Sequence, residues 1–251
     1  MIPELFVVAF LGGLLALDRS AGVGVMLSQP LVGACLAGAL LNPGPAWELW
    51  ALRIPVGVGI LLQLLLTDSA LPGAQRPYDS SAAGVVGTAV ALFAMRRLHG
   101  GLPIPTSGLL WVVLGTVAGL LAAVAGGPLI RRVWGHNRRD LPRLDRAAEL
   151  GDTGAFEAIY WWGAIRILLY GAFWAALATA VLAGLALLLV PRLASGIHGG
   201  LVGASFAGLL GAGLAAAYFA HVRGRPSALR WAALGALAAV AAHVLRRGGA
   251  P

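Results

Sequence analysis

Five polar groups crowd one break between apolar runs: Asp68, Gln75, Arg76, Tyr78 and Asp79, all within QLLLTDSALPGAQRPYDSSAAGVVGTA at residues 63–89. The apolar segment before the break stops at Thr67-Asp68, a loop with Pro and Gly follows, and a small-residue helix pattern starts at Ser80-Ser81. Carboxylates, an amide and a guanidinium supply directed hydrogen-bond acceptors and donors. In a membrane, irregular backbone with ionisable groups is tolerated only against protein or a water-filled cavity, so an interrupted apolar segment is a substrate-site candidate. The same stretch also reads as an ordinary turn between helices. Asp18 is the other acid beside an apolar run. For Asp18 and Asp79 two readings stand, a helix cap or headgroup-level residue and a ligand contact.

Motifs for covalent or metal chemistry do not form. His99, His136, His198, His221 and His243 are scattered, and none pairs at i, i+4 beside a Glu as a metalloprotease helix requires. There is no G-x-S-x-G elbow, no P-loop lysine and no paired-Asp phosphotransfer motif. Cys35 is the single cysteine, so neither a disulfide framework nor a thiolate metal site can be built. No catalytic residue, metal or cofactor is assigned, and the chain is not expected to be an enzyme on its own.

The elements that must position these groups are helices in a bilayer. Hydrophobic residues make up 59% of the chain, charged ones 11%, and mean hydropathy is +0.84. A water-soluble domain carries roughly 25% charged residues, so polar surface is short here, and apolar runs of bilayer length recur. The expected fold is an all-α polytopic membrane protein, one domain over residues 1–251, with about seven to eight hydrophobic segments, some re-entrant. The basic residues are all Arg and number eighteen, and the isoelectric point is near 11.2. Because the arginines cluster between apolar spans, they fit loop anchoring at a cytoplasmic membrane face, not a nucleic-acid surface.

In chain order, residues 5–17 form a first retained segment ending at Leu17-Asp18-Arg19. Residues 22–41 follow with Ser28-Gln29-Pro30 in the middle, where a proline implies a kink or re-entrant turn. Residues 47–66 carry Trp47, Trp50, Arg53 and Gln63, and residues 82–98 end at Arg96-Arg97. Residues 106–130 can span with tilt. Residues 131–154, RRVWGHNRRDLPRLDRAAELGDTG, read as a polar cytoplasmic linker ending in a short amphipathic helix at the surface. Aromatics Phe156, Tyr160, Trp161 and Trp162 then re-enter, and spans at 165–190, 196–222 and 229–245 close the chain. Positive-inside counting places 131–146 and 223–230 in the cytoplasm but Arg246-Arg247 outside, so one segment is re-entrant or the last helix is not a full crossing.

Four places together resemble one family. Leu17-Asp18-Arg19 with Met26-Leu27-Ser28-Gln29-Pro30-Leu31-Val32 is the first, and LPGAQRPYDSSAAGVVGTA is the second. The third is Ala147-Ala148-Glu149-Leu150-Gly151-Asp152 with the aromatics after it, and the fourth is the Gly-rich C-terminal pair of spans. In this order they resemble the membrane IIC subunit of the mannose–fructose–sorbose group of bacterial phosphotransferase-system (PTS) sugar permeases. The resemblance implies a multi-pass permease subunit of the bacterial cytoplasmic (inner) membrane that binds and translocates a sugar. It also implies a IID-like membrane partner and cytoplasmic IIA and IIB phosphocarriers that deliver the phosphoryl group, and it is compatible with a homo-oligomer. The sugar-contact candidates it implies are Asp18, Gln29, Gln63 and Asp79, with Asp68 and Arg76 behind them. Gln29 stands where many relatives have Arg, Tyr78 where they have Pro, and Gln63 where they have Glu. Gly22-Val23-Gly24 lacks a Gln found in relatives, and Asn42-Pro43 replaces Gly-Asp. A Glu-to-Gln change removes a charge and a strong acceptor. The alternative reading is therefore a degenerate, non-transporting IIC-like scaffold or regulator of a phosphorelay.

Overall fold

The computed structural model describes residues 2–20, 27–42, 49–66, 79–98, 108–193 and 202–213, and among these every regular element is α-helical. In order they are α1 (Ile2–Ser20), α2 (Pro30–Leu41), α3 (Leu49–Leu65), α4 (Ser80–Leu98), α5 (Leu109–Glu149), α6 (Thr153–Leu193) and α7 (Val202–Gly213). By length and composition three are long and apolar enough to cross a bilayer: Ser80–Leu98, Leu109–Glu149 and Thr153–Arg192. Pro30–Leu41, Arg53–Leu65 and Val202–Gly213 are shorter apolar helices. Of the expected span at 196–222 only residues 202–213 are described, and the expected span at 229–245 lies outside the described residues, as do Asp68, Gln75, Arg76 and Tyr78.

Helix α4 is the axis of the bundle. Every residue from Ser80 to Ala94 is buried, as expected for a helix that is apolar or small on all sides. Small residues set how closely its neighbours approach. A Cβ on Gly87 would lie 2.5 Å from the Gly115 carbonyl oxygen of α5, and one on Gly115 would lie 2.7 Å from the Gly87 oxygen. A Cβ on Gly84 would lie 2.1 Å from the Pro30 carbonyl oxygen of α2. Gly12 and Gly171 bring α1 and α6 together in the same way. Where the surroundings are apolar, such backbone proximity supplies the dispersion contacts that hold helices together.

These contacts fix the directions. Leu41 at the end of α2 and Arg96 near the end of α4 share one pole of the bundle, where Arg96 donates to the Leu41 carbonyl and pairs with Glu4 of α1 at 2.6 Å. At the opposite pole lie Arg19, Pro30 and Ser80, which begin or end α1, α2 and α4. The outward-facing surface is apolar: Phe6 and Phe10 on α1, Leu121 and Val124 on α5, and Phe173 and Leu188 on α6 are all exposed.

Two expectations are corrected. Residues 131–149 are not a linker with a separate helix but the continuation of the 41-residue α5, and only residues 150–152 turn the chain into α6. Arg, Leu, Ala and Glu dominate this segment and favour the helix, while Asn137 Nδ2 to the Gly163 oxygen (3.2 Å) and Arg166 to Asp140 (2.6 Å) tie it to α6. Gly151 makes the turn with φ 66°, a conformation that glycine adopts without a Cβ penalty. Of the two expectations for Pro30, a kink or a re-entrant turn, the kink falls: Pro30 opens α2 after the Leu27–Gln29 turn, where its missing N–H costs no helical bond.

A candidate site at two helix N-termini

Two buried carboxylates lie where two helices begin, one at the N-terminus of α4 and one on the turn that leads into α2. Asp79 is the residue before α4, and its Oδ1 accepts from the Ser81 backbone N–H at 3.1 Å and from the Ser81 hydroxyl at 2.5 Å. Asp18, near the end of α1, reaches across to the turn before α2, where its Oδ2 accepts from the Ser28 N–H at 2.8 Å. A helix N-terminus presents unpaired N–H groups and a positive dipole end, so a carboxylate is the side chain that satisfies it. Asp18 is 6% exposed and Asp79 1% exposed, which makes the helix termini, not water, their solvent.

Asp79 gathers three further elements. Arg19 of α1 lies with Nη1 3.4 Å from Asp79 Oδ1 and donates to Ser80 Oγ at 2.9 Å. Tyr170 of α6 donates to Asp79 Oδ2 at 2.9 Å, and its hydroxyl also lies 3.0 Å from the Gly126 carbonyl oxygen of α5. The Asp79 N–H donates to the Ala123 oxygen of α5 at 2.8 Å. Trp174, one helical turn beyond Tyr170, donates to the Ala122 oxygen at 3.3 Å. Gly126 has no room for a side chain, since a Cβ would meet the Trp174 indole nitrogen at 2.6 Å and the Asp79 Cβ at 3.1 Å. The result is a charge pair, a capped helix and a phenol packed where α1, α4, α5 and α6 meet.

The four sequence candidates fare differently. Asp18 and Asp79 stand at the same pole of the bundle, Asp79 as the cap of α4 and Asp18 as an acceptor for the Ser28 N–H in the turn before α2. Gln29 is the N-cap of α2, half-buried, and its side chain makes no capping bond. Gln63 lies on α3, half-buried, two residues before that helix ends. Arg19, Ser80, Ser81 and Tyr170 join the site without having been singled out by sequence reasoning. Arg19 is legible as the neighbour of Asp18, and Tyr170 only as a lone hydroxyl in the apolar run IRILLYGAF.

A separate groove of about 250 Å³ opens between α5 and α6 in their projecting part, lined by Asn137, Asp140, Leu144, Ile159 and Tyr160 among others. Asn137 lies 11 residues beyond Gly126, or about 16 Å along the helix, so the groove is distinct from the Asp79 cluster. His136 is exposed there, with Nδ1 2.8 Å from the Arg132 oxygen, and His99, His198, His221 and His243 lie outside the described residues. No family model, curated protein or solved structure matches the chain.

Proposed function

We propose that this chain is a bilayer-embedded permease subunit of the IIC type, which binds and moves a sugar beside a IID-like membrane chain while separate IIA and IIB units carry the phosphoryl group. The observation that carries the reading is the pair of buried carboxylates at one pole of an apolar bundle, Asp79 bonded to the Ser81 N–H that begins α4 and Asp18 bonded to the Ser28 N–H in the turn that leads into α2. Interrupted helices whose N-termini meet polar groups inside the membrane form the solute sites of several transporter folds. The family resemblance at 17–32, 63–89 and 147–152 adds the substrate class, a hexose or similar polyol. Asp18, Gln29 and Asp79 are the proposed contacts at this pole, and Gln63 is the proposed contact from α3. The Asp79 oxygens are already engaged by Ser81, Arg19 and Tyr170, so binding a sugar there requires that cluster to open. A motion of α1 and α6 against α4 would open it, in keeping with a core that shifts relative to a scaffold.

A second reading has one observation in its favour. With 1% exposure and every oxygen bonded, Asp79 is also what a fixed structural anchor looks like, as a non-transporting scaffold of a phosphorelay would have. Equilibrium binding of labelled hexoses to the purified chain in lipid nanodiscs separates the two. Saturable binding that Asp18→Asn or Asp79→Asn removes supports the permease. A well-folded chain that binds none of the hexoses supports the scaffold.

A further inference from the structure

The α5–α6 hairpin beyond Gly126 and Tyr170 is two-faced, and its charges are sorted along its length. Residues 131–139 hold Arg131, Arg132, Arg138 and Arg139 and no acid, whereas Asp140, Asp145, Glu149, Asp152 and Glu157 all lie from there outward around the tip. Arg132, Arg138 and Arg139 are exposed. On the partner helix, the level is fixed by Asn137 bonding Gly163, so Tyr160, Trp161 and Trp162 stand beside this arginine collar. Their exposures are 47%, 60% and 56%, far more than aromatic rings keep in water without a partner. Arg166 lies over the Trp162 ring at 5.8 Å, which holds the indole at the surface instead of folding it into the hairpin.

The apolar surface of α6 extends past that of α5. Exposed apolar residues continue from Trp161 through Ile165, Phe173, Val181 and Leu185 to Leu189. Twenty-eight residue steps at 1.5 Å make this stripe about 42 Å long, against a hydrocarbon core of about 30 Å. On α5 the run of exposed large apolar residues ends at Val124, the arginines begin at Arg131, and the next exposed large apolar residue is Leu141, beyond the arginines. A hairpin with more apolar length on one helix than on the other fits a bilayer by leaning, the longer side down. Leaning lays Tyr160, Trp161 and Trp162 at the depth favoured by amphipathic rings and brings the acid-free collar onto the headgroups. The collar spans eight residue steps, about 12 Å, which covers a headgroup layer of about 5–8 Å crossed at a slant.

We infer that residues 131–139 of α5 and 160–166 of α6 form a docking surface for anionic phospholipid headgroups, with Arg132, Arg138 and Arg139 taking the phosphates and the aromatic rings seated at the interface. Beyond the collar the acids are mixed with Arg143 and Arg146, and Asp140 at the collar's edge is paired with Arg166. This inference rests on the membrane placement proposed above and not on sugar transport, so a chain that moves no sugar can still show it.

The test is lipid selectivity of the full-length chain in phosphatidylcholine bilayers, read by electron spin resonance with spin-labelled phosphatidylglycerol and, separately, spin-labelled phosphatidylcholine. The motionally restricted fraction should favour phosphatidylglycerol by about fivefold, the order expected for one basic residue near an anionic surface, and more if the arginines act together. The exposed triple variant R132Q/R138Q/R139Q should bring the preference close to unity, high salt should lower it, and R192Q at the far end of α6 should leave it intact. Equal restriction of the two lipids in the wild type overturns the inference, as does a preference that survives the triple variant. If light scattering shows a stable dimer, the wild type has no lipid preference and W161A/W162A separates the dimer, the face is a protein interface and the lipid assignment fails.

Discussion

Replacing Asp79 by alanine tests whether the four-helix junction is held by charge. The substitution removes the cap of α4 and takes the Asp79 carboxylate away from the Arg19 guanidinium, whose side chain is 7% exposed. Breaking a buried ion pair by removing one partner costs about 3–5 kcal/mol and losing an N-cap about 1 kcal/mol, and because these terms overlap we expect a loss of about 4 kcal/mol. Arg19→Gln alone strands the carboxylate instead, but Ser81 and Tyr170 still bond it, so the expected loss is smaller, about 2–3 kcal/mol. The diagnostic variant is R19Q/D79N, which removes both charges while the new amide keeps a carbonyl oxygen for the Ser81 N–H. Replacing both members of a buried pair is far less costly than removing one, so the double variant should recover about 2 kcal/mol relative to the sum of R19Q and D79N. Denaturant titration of the purified chain in mixed micelles, followed by tryptophan fluorescence and far-ultraviolet circular dichroism, gives the three free energies. Strictly additive losses would refute the argument, because they would mean that Arg19 and Asp79 do not depend on each other.

Further outcomes follow from the packing. Tyr170→Phe deletes a hydrogen bond to a buried carboxylate and should cost about 1.5–3 kcal/mol in the same unfolding assay, with helicity unchanged. Gly84→Ala places a methyl 2.1 Å from the Pro30 oxygen, so α2 must shift off α4, and a loss of at least about 1–3 kcal/mol is expected from thermal melts. Thr88→Val should raise the melting temperature, because Thr88 Oγ1 is buried with no hydrogen-bond partner among the described residues and an unsatisfied buried hydroxyl costs about 1–3 kcal/mol. Glu4→Gln should change stability by less than about 1 kcal/mol, since the Glu4 and Arg96 side chains are 28% and 33% exposed and partly exposed pairs contribute little.

Helix identity is legible in the residues wherever one physical preference governs. The start of α4 at Ser80-Ser81 can be read because small polar residues after an Asp favour an N-terminus, and the apolar runs that become α1 and α3–α6 can be read from hydropathy. The 131–149 segment reads as a linker because its charges and Pro142 argue against a span. They do not argue against a helix, which is what α5 builds there by pairing with α6. Pro30 is open to two interpretations because a proline in an apolar run can kink a helix or begin one, and only the Leu27–Gln29 turn decides it. For the candidate site, both acids stand out in the sequence but their neighbours do not. Tyr170 lies 91 residues from Asp79, and no local pattern indicates which buried hydroxyl will meet which carboxylate. Gln29 and Gln63 stand out for their chemistry, and each lies at or near a helix end.

The most direct test of the central claim is hexose uptake into proteoliposomes that contain this chain and a IID-like partner, with phosphoenolpyruvate, the IIA and IIB units and the soluble phosphocarriers that charge IIA enclosed in the lumen. The permease reading predicts phosphoenolpyruvate-dependent accumulation of at least one labelled hexose, abolished by Asp18→Asn, with the variant inserted at wild-type levels. A correctly inserted, cooperatively melting wild-type chain that accumulates no hexose above empty vesicles would contradict it.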